Sequence, residues 1–244
     1  MTLPNYFKPK KKFSLIRLGN INDGGYLVGK KTILETEFLI SLGIGDDWSF
    51  ESDFQKINNQ SKIIMYDRYP LTQNYFLKES IKSILTLDFK NTLFNFKRFN
   101  ESKIFFSNNK VKKRLIRYKS LDKIFQDEKI NGKVFLKIDI EGAEYRILQD
   151  ILIYKHLILG LVIEFHDIDF HQKDLKNFIE NLDLKLTHVH ANNGSVLDLD
   201  NNPTCLELTF EKNPEVIGDK VEIPNILDHK NFPYLSDQQI IFKE

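Results

Sequence analysis

Short apolar runs, each closing on a glycine or an acid, alternate with amphipathic stretches along this 244-residue chain. The run at 37–42 closes on Gly43, that at 62–66 on Asp67-Arg68, that at 134–138 on Asp139, and that at 159–164 ends in Glu164 itself. Apolar runs of this length, bounded this way, read as buried strands. A weaker run at 83–87, ending at Asp88, reads as one more. Helical spacing of apolar residues predicts helices over 49–57, 143–153 and 172–182, and Ser120-Leu-Asp-Lys123 has the pattern of a helix N-cap. Runs at 184–189 and 205–210 have only a polar loop rich in Asn and Asp between them, which predicts an antiparallel pair. Strands alternating with helices predict a mainly parallel sheet covered on both faces, an α/β fold. Residues 89–120 mix Phe and Lys without a period and predict no element. Residues 1–30 form an N-terminal segment with a loop signal at Asn20-Ile-Asn-Asp-Gly-Gly25, and 214–244 read as an irregular tail. No fixed-period repeat or low-complexity linker divides the chain, so one domain over 1–244 is expected.

Composition narrows the function classes. Apolar residues make up 41% and Phe alone numbers 20, ample for a large core. Lys plus Arg number 35 against 34 Asp plus Glu, so no global field recruits nucleic acid or an anionic membrane. Two basic clusters, Lys10–Lys12 and Lys110-Val-Lys-Lys-Arg114, read as solvated loops. The single cysteine, Cys205, excludes an intrachain disulfide and a cysteine-based zinc cluster, and it reads as a small core residue. No stretch reaches the ~20 apolar residues of a membrane span, and no signal-peptide pattern opens the sequence. A soluble, cytoplasmic protein is expected, with a homo-oligomer left open.

The chemistry gathers at the strand ends. In Ser41-Leu-Gly-Ile-Gly-Asp46, glycines after the first strand let the backbone turn tightly and approach a ligand. Asp67 follows the second strand, where an acid can take both hydroxyls of a ribose, so the pair points to an adenosine-containing cofactor. A dinucleotide fingerprint wants a third glycine where this chain has Trp48, which argues against a nicotinamide-dependent dehydrogenase, the first alternative. Asp23-Gly24-Gly25-Tyr26, with Arg17 just before it, is either a hairpin turn or a loop over the cofactor. Asp139 and Glu164 end apolar strands, and if those strands are neighbours their carboxylates meet, which favours a shared proton or a cation. Oxygen and imidazole donors suit Mg²⁺ or Mn²⁺, with His190 as a nitrogen ligand. His166 suits proton abstraction from a hydroxyl, and period-2 alternation puts it on the same side as Glu164. Glu141 is either part of the chemistry or a cap on the helix behind it, and Glu144 is expected to face solvent.

Taken in order, Arg17 with Asp23-Gly-Gly-Tyr26, Gly43-Ile-Gly-Asp46, Tyr66-Asp67, Leu136-Lys-Ile-Asp-Ile-Glu-Gly-Ala-Glu144, Glu164-Phe-His166 and His190-Ala-Asn-Asn193 resemble the FkbM-type methyltransferases. The resemblance spans roughly 15–210, and its most specific element is Lys-Ile-Asp-Ile-Glu-Gly-Ala-Glu. It implies a class I, Rossmann-like fold: a seven-stranded, mostly parallel sheet with an antiparallel last strand. It also implies S-adenosyl-L-methionine as cofactor. By resemblance, Gly43, Gly45 and Asp46 line the cofactor, Asp67 binds its ribose, and Arg17, Asp23, Gly24 and Gly25 belong to the segment that closes over it. Asp139, His166 and Glu141 become the catalytic candidates, and Asp139, Glu164 and His190 the metal candidates. Ser41 and Asp47 depart from the wider class, which often has an acid and a third glycine there. The implied activity is O-methylation of a sugar hydroxyl, on a nucleotide-linked sugar or a bacterial surface polysaccharide such as capsule or lipopolysaccharide. A phosphorus-containing acceptor of the same pathway and a noncatalytic glycan-binding relic are the remaining alternatives.

Overall fold

In the computed structural model, which describes residues 1–70, 73–109, 111–200 and 202–243, the apolar runs pair into one seven-stranded sheet. Lys110 of the second basic cluster and Asn201 of the Asn-rich loop lie outside the described residues. The strands are β1 (Phe38–Leu42), β2 (Lys62–Asp67), β3 (Val111–Lys113), β4 (Val134–Ile138), β5 (Ile158–Phe165), β6 (Lys185–Ala191) and β7 (Leu206–Glu211). Their spatial order is β3-β2-β1-β4-β5-β7-β6. The first five run parallel, and β7 is antiparallel to both of its neighbours.

Alternation along the strands explains the layers. In β4, Val134, Leu136 and Ile138 join one core cluster while Phe135 joins another. Ile40 and Leu42 against Leu39, and Leu161 and Ile163 against Val162, divide the same way in β1 and β5. Successive side chains of a strand point to opposite faces, so both faces are apolar and both need helices. Helices α1 (Lys30–Leu34) and α2 (Ser49–Ile57) cover one through Ile33, Phe50 and Phe54. Helices α5 (Ser120–Asp127), α6 (Leu148–Tyr154) and α7 (Gln172–Asn181) cover the other through Ile124, Ile151 and Leu175.

Several expectations need correction. The run at 83–87 is not a strand: α3 (Gln73–Leu85) ends inside it, Leu87 turns at φ +56°, and Asp88 caps α4 (Phe89–Asn108) by accepting the Asn91 N–H at 3.1 Å. A short apolar run has no period of its own, so it fits a helix end as well as a strand. The stretch without a predicted element holds α4 and the edge strand β3, whose Lys112 and Lys113 hide it from an apolar count. Helix α5 does begin at Ser120, but its cap is remote: Leu121 and Asp122 donate to Asp150 at 3.1 and 3.3 Å. The helix expected from Ala143 is instead a 3₁₀ turn, Glu144–Arg146, followed by α6. The N-terminal glycine segment is an antiparallel hairpin of strands Ile16–Gly19 and Gly25–Val28. The tail, expected to be irregular, adds two short strands, Val216–Gly218 against Lys12–Phe13 and Ile241–Lys243 against Thr2–Pro4. The basic clusters are partly neutralised: Lys11 meets Asp219 at 2.5 Å, Lys12 meets Glu222 at 3.0 Å, and Arg114 meets Asp127 at 2.6 Å.

Candidate active site

Strand order reverses between β1 and β4, and the crevice outside the carboxyl ends at such a point is where open α/β sheets bind ligands. A cleft of about 550 Å³ opens there. The loops after β1, β2, β3 and β4 and the tip of the N-terminal hairpin form its walls.

The glycine loop is shaped by necessity. Gly43 sits at φ +80°, and a Cβ there would lie 1.5 Å from the Asp139 carbonyl oxygen. Beyond it, the Ile44 and Gly45 N–H groups both donate to Asp67 Oδ2 at 3.0 Å, and Tyr69 N–H donates to Oδ1 at 2.6 Å. Asp67 therefore holds the loop as well as lining the cleft, beside Gly43, Gly45 and Asp46. Trp48, at the position a dinucleotide loop would give to glycine, is buried against Phe76, Phe105 and Phe106, with the Arg98 guanidinium 4.2 Å above its ring.

At the hairpin tip, Asp23 and Gly24 line the cleft, but Arg17 and Gly25 are not among the lining residues. The Arg17 guanidinium donates to the Asn20 and Asn22 carbonyls at 3.0 and 2.8 Å. A Cβ on Gly25 would lie 1.8 Å from the Asn20 oxygen. Those two residues build the turn that presents Asp23. Asp23 in turn accepts from Asn231 Nδ2 at 3.1 Å, and the same amide donates to Glu207 at 2.5 Å, which ties the tail to the hairpin.

On the β4–β5 side the two strand-end carboxylates do meet, since Ile138 lies opposite Ile163. The Tyr26 hydroxyl is 3.1 Å from Glu164 Oε2 and 3.5 Å from Asp139 Oδ2. Glu164 Oε1 accepts from Asn192 Nδ2 at 2.9 Å and from Cys205 Sγ at 3.0 Å. Cys205 is thus a buried donor to the site rather than only core filling. Lys137 Nζ donates to the Gly43 carbonyl at 2.6 Å and lies 3.8 Å from Asp139. His166 stands between acids: Nδ1 is 3.2 Å from Glu144 Oε1, and Nε2 is 3.4 Å from Glu141 and 3.9 Å from Glu164.

Glu144 does not face solvent. It is fully buried, and its Oε1 also accepts the Ile140 and Gly142 N–H groups at 3.1 and 3.2 Å. The 3₁₀ turn folds it inward, where a helix would have carried it elsewhere. Glu141, at φ +54° with an exposed side chain, lines the cleft. His190 belongs to none of the converging donor groups; it stands beyond Glu207, 3.3 Å from it and 3.8 Å from Asp237. The donor groups that converge are Asp139–Glu141–His166, Glu164–His166–Cys205 and Asp23–Glu164–Glu207. Sequence reading passed over Tyr26, Lys137 and Asn192 as site residues, although all three lie within the motifs it singled out.

Electrostatics follow from crowding carboxylates under cover. Burial, then the charges of Asp139 and Glu207, push the Glu164 carboxyl up to about 8. For His166, burial disfavours the cation, but the hydrogen bond and charge of Glu144 and the charges of Glu164 and Asp139 outweigh it and raise the imidazole to about 9. His190 is likewise raised to about 10, where burial is overcome by Asp237 and Glu207. Burial, then the charges of Asp139, Glu164, Glu207 and Asp23, raise the Tyr26 phenol well above its ordinary value, so it stays a neutral donor.

The sequence profile of the family described as the methyltransferase FkbM domain matches residues 28–215. No curated protein matches the chain. Among solved structures, it is similar to a precorrin-6y C5,15-methyltransferase from Geobacter metallireducens, at 12% identity and a TM-score of 0.40 over 75% of this chain and 85% of that one. A putative sarcosine dimethylglycine methyltransferase from Galdieria sulphuraria gives 10% identity and 0.40 over 77% and 82%. A SAM dependent methyltransferase from Aquifex aeolicus gives 11% and 0.36 over 74% and 85%.

Proposed function

This chain belongs to the methyltransferase FkbM domain family, and from that premise we propose that it methylates a sugar hydroxyl, on a nucleotide-linked sugar or a bacterial surface polysaccharide. The observation that carries the proposal is the juxtaposition of two half-sites in one cleft. A glycine loop held by Asp67 adjoins a carboxylate–imidazole cluster whose Asp139 and Glu141 line the cleft, with Glu164 and His166 set behind them. Bound S-adenosylmethionine supplies a methyl group already activated on sulfur, so direct displacement needs no covalent enzyme intermediate.

The protein's share is then to place the acceptor oxygen and remove its proton. Gly43, Gly45, Asp46 and Asp67 would face the cofactor, with Asp23 and Gly24 closing the opposite wall. Asp139 and Glu141 border the space next to that loop, where an acceptor hydroxyl would lie, and His166 stands 3.4 Å behind Glu141. Because His166 is held as a cation well above neutral pH, it takes up the hydroxyl proton only after losing its own. Either the rate rises with pH or a divalent cation displaces that proton.

The donor chemistry fits such a cation. Asp139, Glu141 and His166 would hold it, two oxygens and one nitrogen being suited to Mg²⁺ or Mn²⁺. The Glu164 carboxyl is raised first by burial and then by the charges of Asp139 and Glu207, and a cation would relieve that second part. Such an ion would polarise the hydroxyl. At the far wall, Arg68, Arg114 and Arg146 line the cleft, and Arg114 Nη1 is a buried donor without a partner among the described residues. Planar guanidinium groups suit phosphate oxygens, which favours a nucleotide-linked acceptor.

The test is calorimetric titration with S-adenosylhomocysteine, with and without Mn²⁺ or Mg²⁺, followed by methyl transfer to nucleotide sugars. Saturable binding with a cation-dependent change, then label on a sugar, is the expected result. Folded protein that binds neither S-adenosylhomocysteine nor cation would overturn the reading.

A further inference from the structure

Beyond β7 the tail returns to the cleft through one buried side chain. Asn231 is 4% exposed, and its amide nitrogen donates to Asp23 Oδ1 at 3.1 Å and to Glu207 Oε1 at 2.5 Å. The segment that carries it is pinned on both sides. Ahead of it, Asp228 lies 2.8 Å from His188 Nε2, and the Lys230 carbonyl accepts from Asn22 Nδ2 of the hairpin turn at 2.8 Å. After it, the Phe232 N–H donates to Asn193 Oδ1 at 2.9 Å, and Asn193 Nδ2 donates back to the Phe232 carbonyl at 3.0 Å. The Phe232 ring fills the space beside Gly194, where a Cβ would lie 1.9 Å from it. The Asn231 amide is therefore ordered by the fold, before any ligand arrives.

What the amide separates is a set of like charges. Glu207 sits opposite Glu164 across β7 and β5, and oxygens of Asp23, Glu164 and Glu207 lie within 4.8 Å of one another. Burial raises the Asp23 carboxyl, the Asn231 hydrogen bond opposes that rise, and the charges of Glu207 and Asp139 add to it. Asp23 stands at the tip of a turn with water beside it, so without the Asn231 donor those neighbours repel it out of the wall. Its place along the sheet gives this side chain its use. With the ribose at Asp67 after β2, and β1 between β2 and β4, the amino-acid end of S-adenosylmethionine extends toward the β4–β5 side, where Asp23 lines the cleft. That end carries an ammonium group, which a fixed carboxylate suits. We propose that Asn231 is a positioning residue: it holds the Asp23 carboxylate in the cleft wall, where Asp23 accepts a hydrogen bond from the ammonium group of the cofactor. The inference rests on the methyl-transfer reading.

The test is calorimetry on the full chain with two ligands, S-adenosylhomocysteine and 5′-methylthioadenosine. The second keeps the adenosine and the sulfur but lacks the ammonium group. Asn231→Leu and Asp23→Asn should each weaken S-adenosylhomocysteine about tenfold or more and leave methylthioadenosine unchanged. The double variant should bind no more weakly than either single one, because both changes remove the same contact. Melting midpoints accompany each titration, and Asn231→Ser, which opens space instead of adding bulk, is the second variant where leucine unfolds the tail. Folded Asn231 variants that bind S-adenosylhomocysteine like the wild-type protein overturn the inference alone. So does an equal loss for both ligands, which reports a loosened cleft and not a partner for the ammonium group. Folded wild-type protein that binds neither ligand removes the methyl-transfer reading, and the inference with it.

Discussion

Glu164 concentrates the electrostatic tension of the cleft: it is buried, faces Asp139, and is met by donors from Tyr26, Asn192 and Cys205. Asp139 is the more accessible partner and lines the open cleft. Replacing Asp139 by Asn keeps its shape and removes its charge. Turnover should fall about 10²-fold or more, the scale of a lost proton-transfer or charge-stabilising group, while affinity for S-adenosylhomocysteine changes little. Single-turnover kinetics alongside calorimetry separates the two, and full activity in the variant would remove Asp139 from the chemistry. Residues such as Asp139, Glu164 and His166 were legible in the sequence because each follows or ends an apolar run, and the end of a strand fixes a place in the sheet. Glu144 was not legible, because helical periodicity sent it to solvent whereas the 3₁₀ turn buries it under His166. His190 was misleading for a different reason. Its strand and side were readable, but its distance from Glu164 depends on β7, which lies between β6 and β5 and interposes Glu207.

Among the elements, the β1–α2 loop is the one with least freedom. It approaches the backbone after β4 so closely that Gly43 has no room for a side chain, and its φ of +80° is strained for any other residue. Gly43→Ala should therefore destabilise the fold by about 2 kcal/mol or more, read as a lower urea midpoint at unchanged slope. A variant as stable as wild type would mean that the loop has a second conformation compatible with a Cβ. This loop was readable because glycine spacing after a strand is a local signal. The α3–α4 insertion was not, and the physical reason is the arrangement of its polarity. A helix with serines inside and leucines and phenylalanines outside gives no inward apolar stripe to count. The edge strand β3 escaped for a related cause: an edge needs charge to discourage further pairing, and its lysines supply it.

For the molecule as a whole, the raised groups set the direction of pH dependence. Glu164 rises from 4.5 to about 8, His166 from 6.5 to about 9, and His190 from 6.5 to about 10. Each holds its proton more tightly folded than unfolded. Its stabilisation is complete below the unfolded value and is lost as pH climbs through the folded one. The melting midpoint should fall steadily from pH 7 to pH 10, and Glu164→Gln should flatten the part below pH 8. A flat profile in the wild-type protein would mean that these groups are not held as the geometry implies. The mainly parallel sheet followed from alternation of strands and helices, and the antiparallel pairing of β6 with β7 from one helix-free connection, because those are properties of the chain's connectivity. What joins the two ends of the chain across the cleft, the Asp23–Asn231–Glu207 link, rests on contacts more than 200 residues apart in part and had no local signal. The sole tryptophan of the chain also has an optical consequence. Trp48 lies where the α3–α4 base meets the body, roofed by Arg98 and ringed by Phe76, Phe105 and Phe106. Intrinsic emission at indole wavelengths is therefore a built-in gauge of that one joint: it shifts when the helical pair swings from the body and stays silent to rearrangements confined to the distant β6–β7 edge.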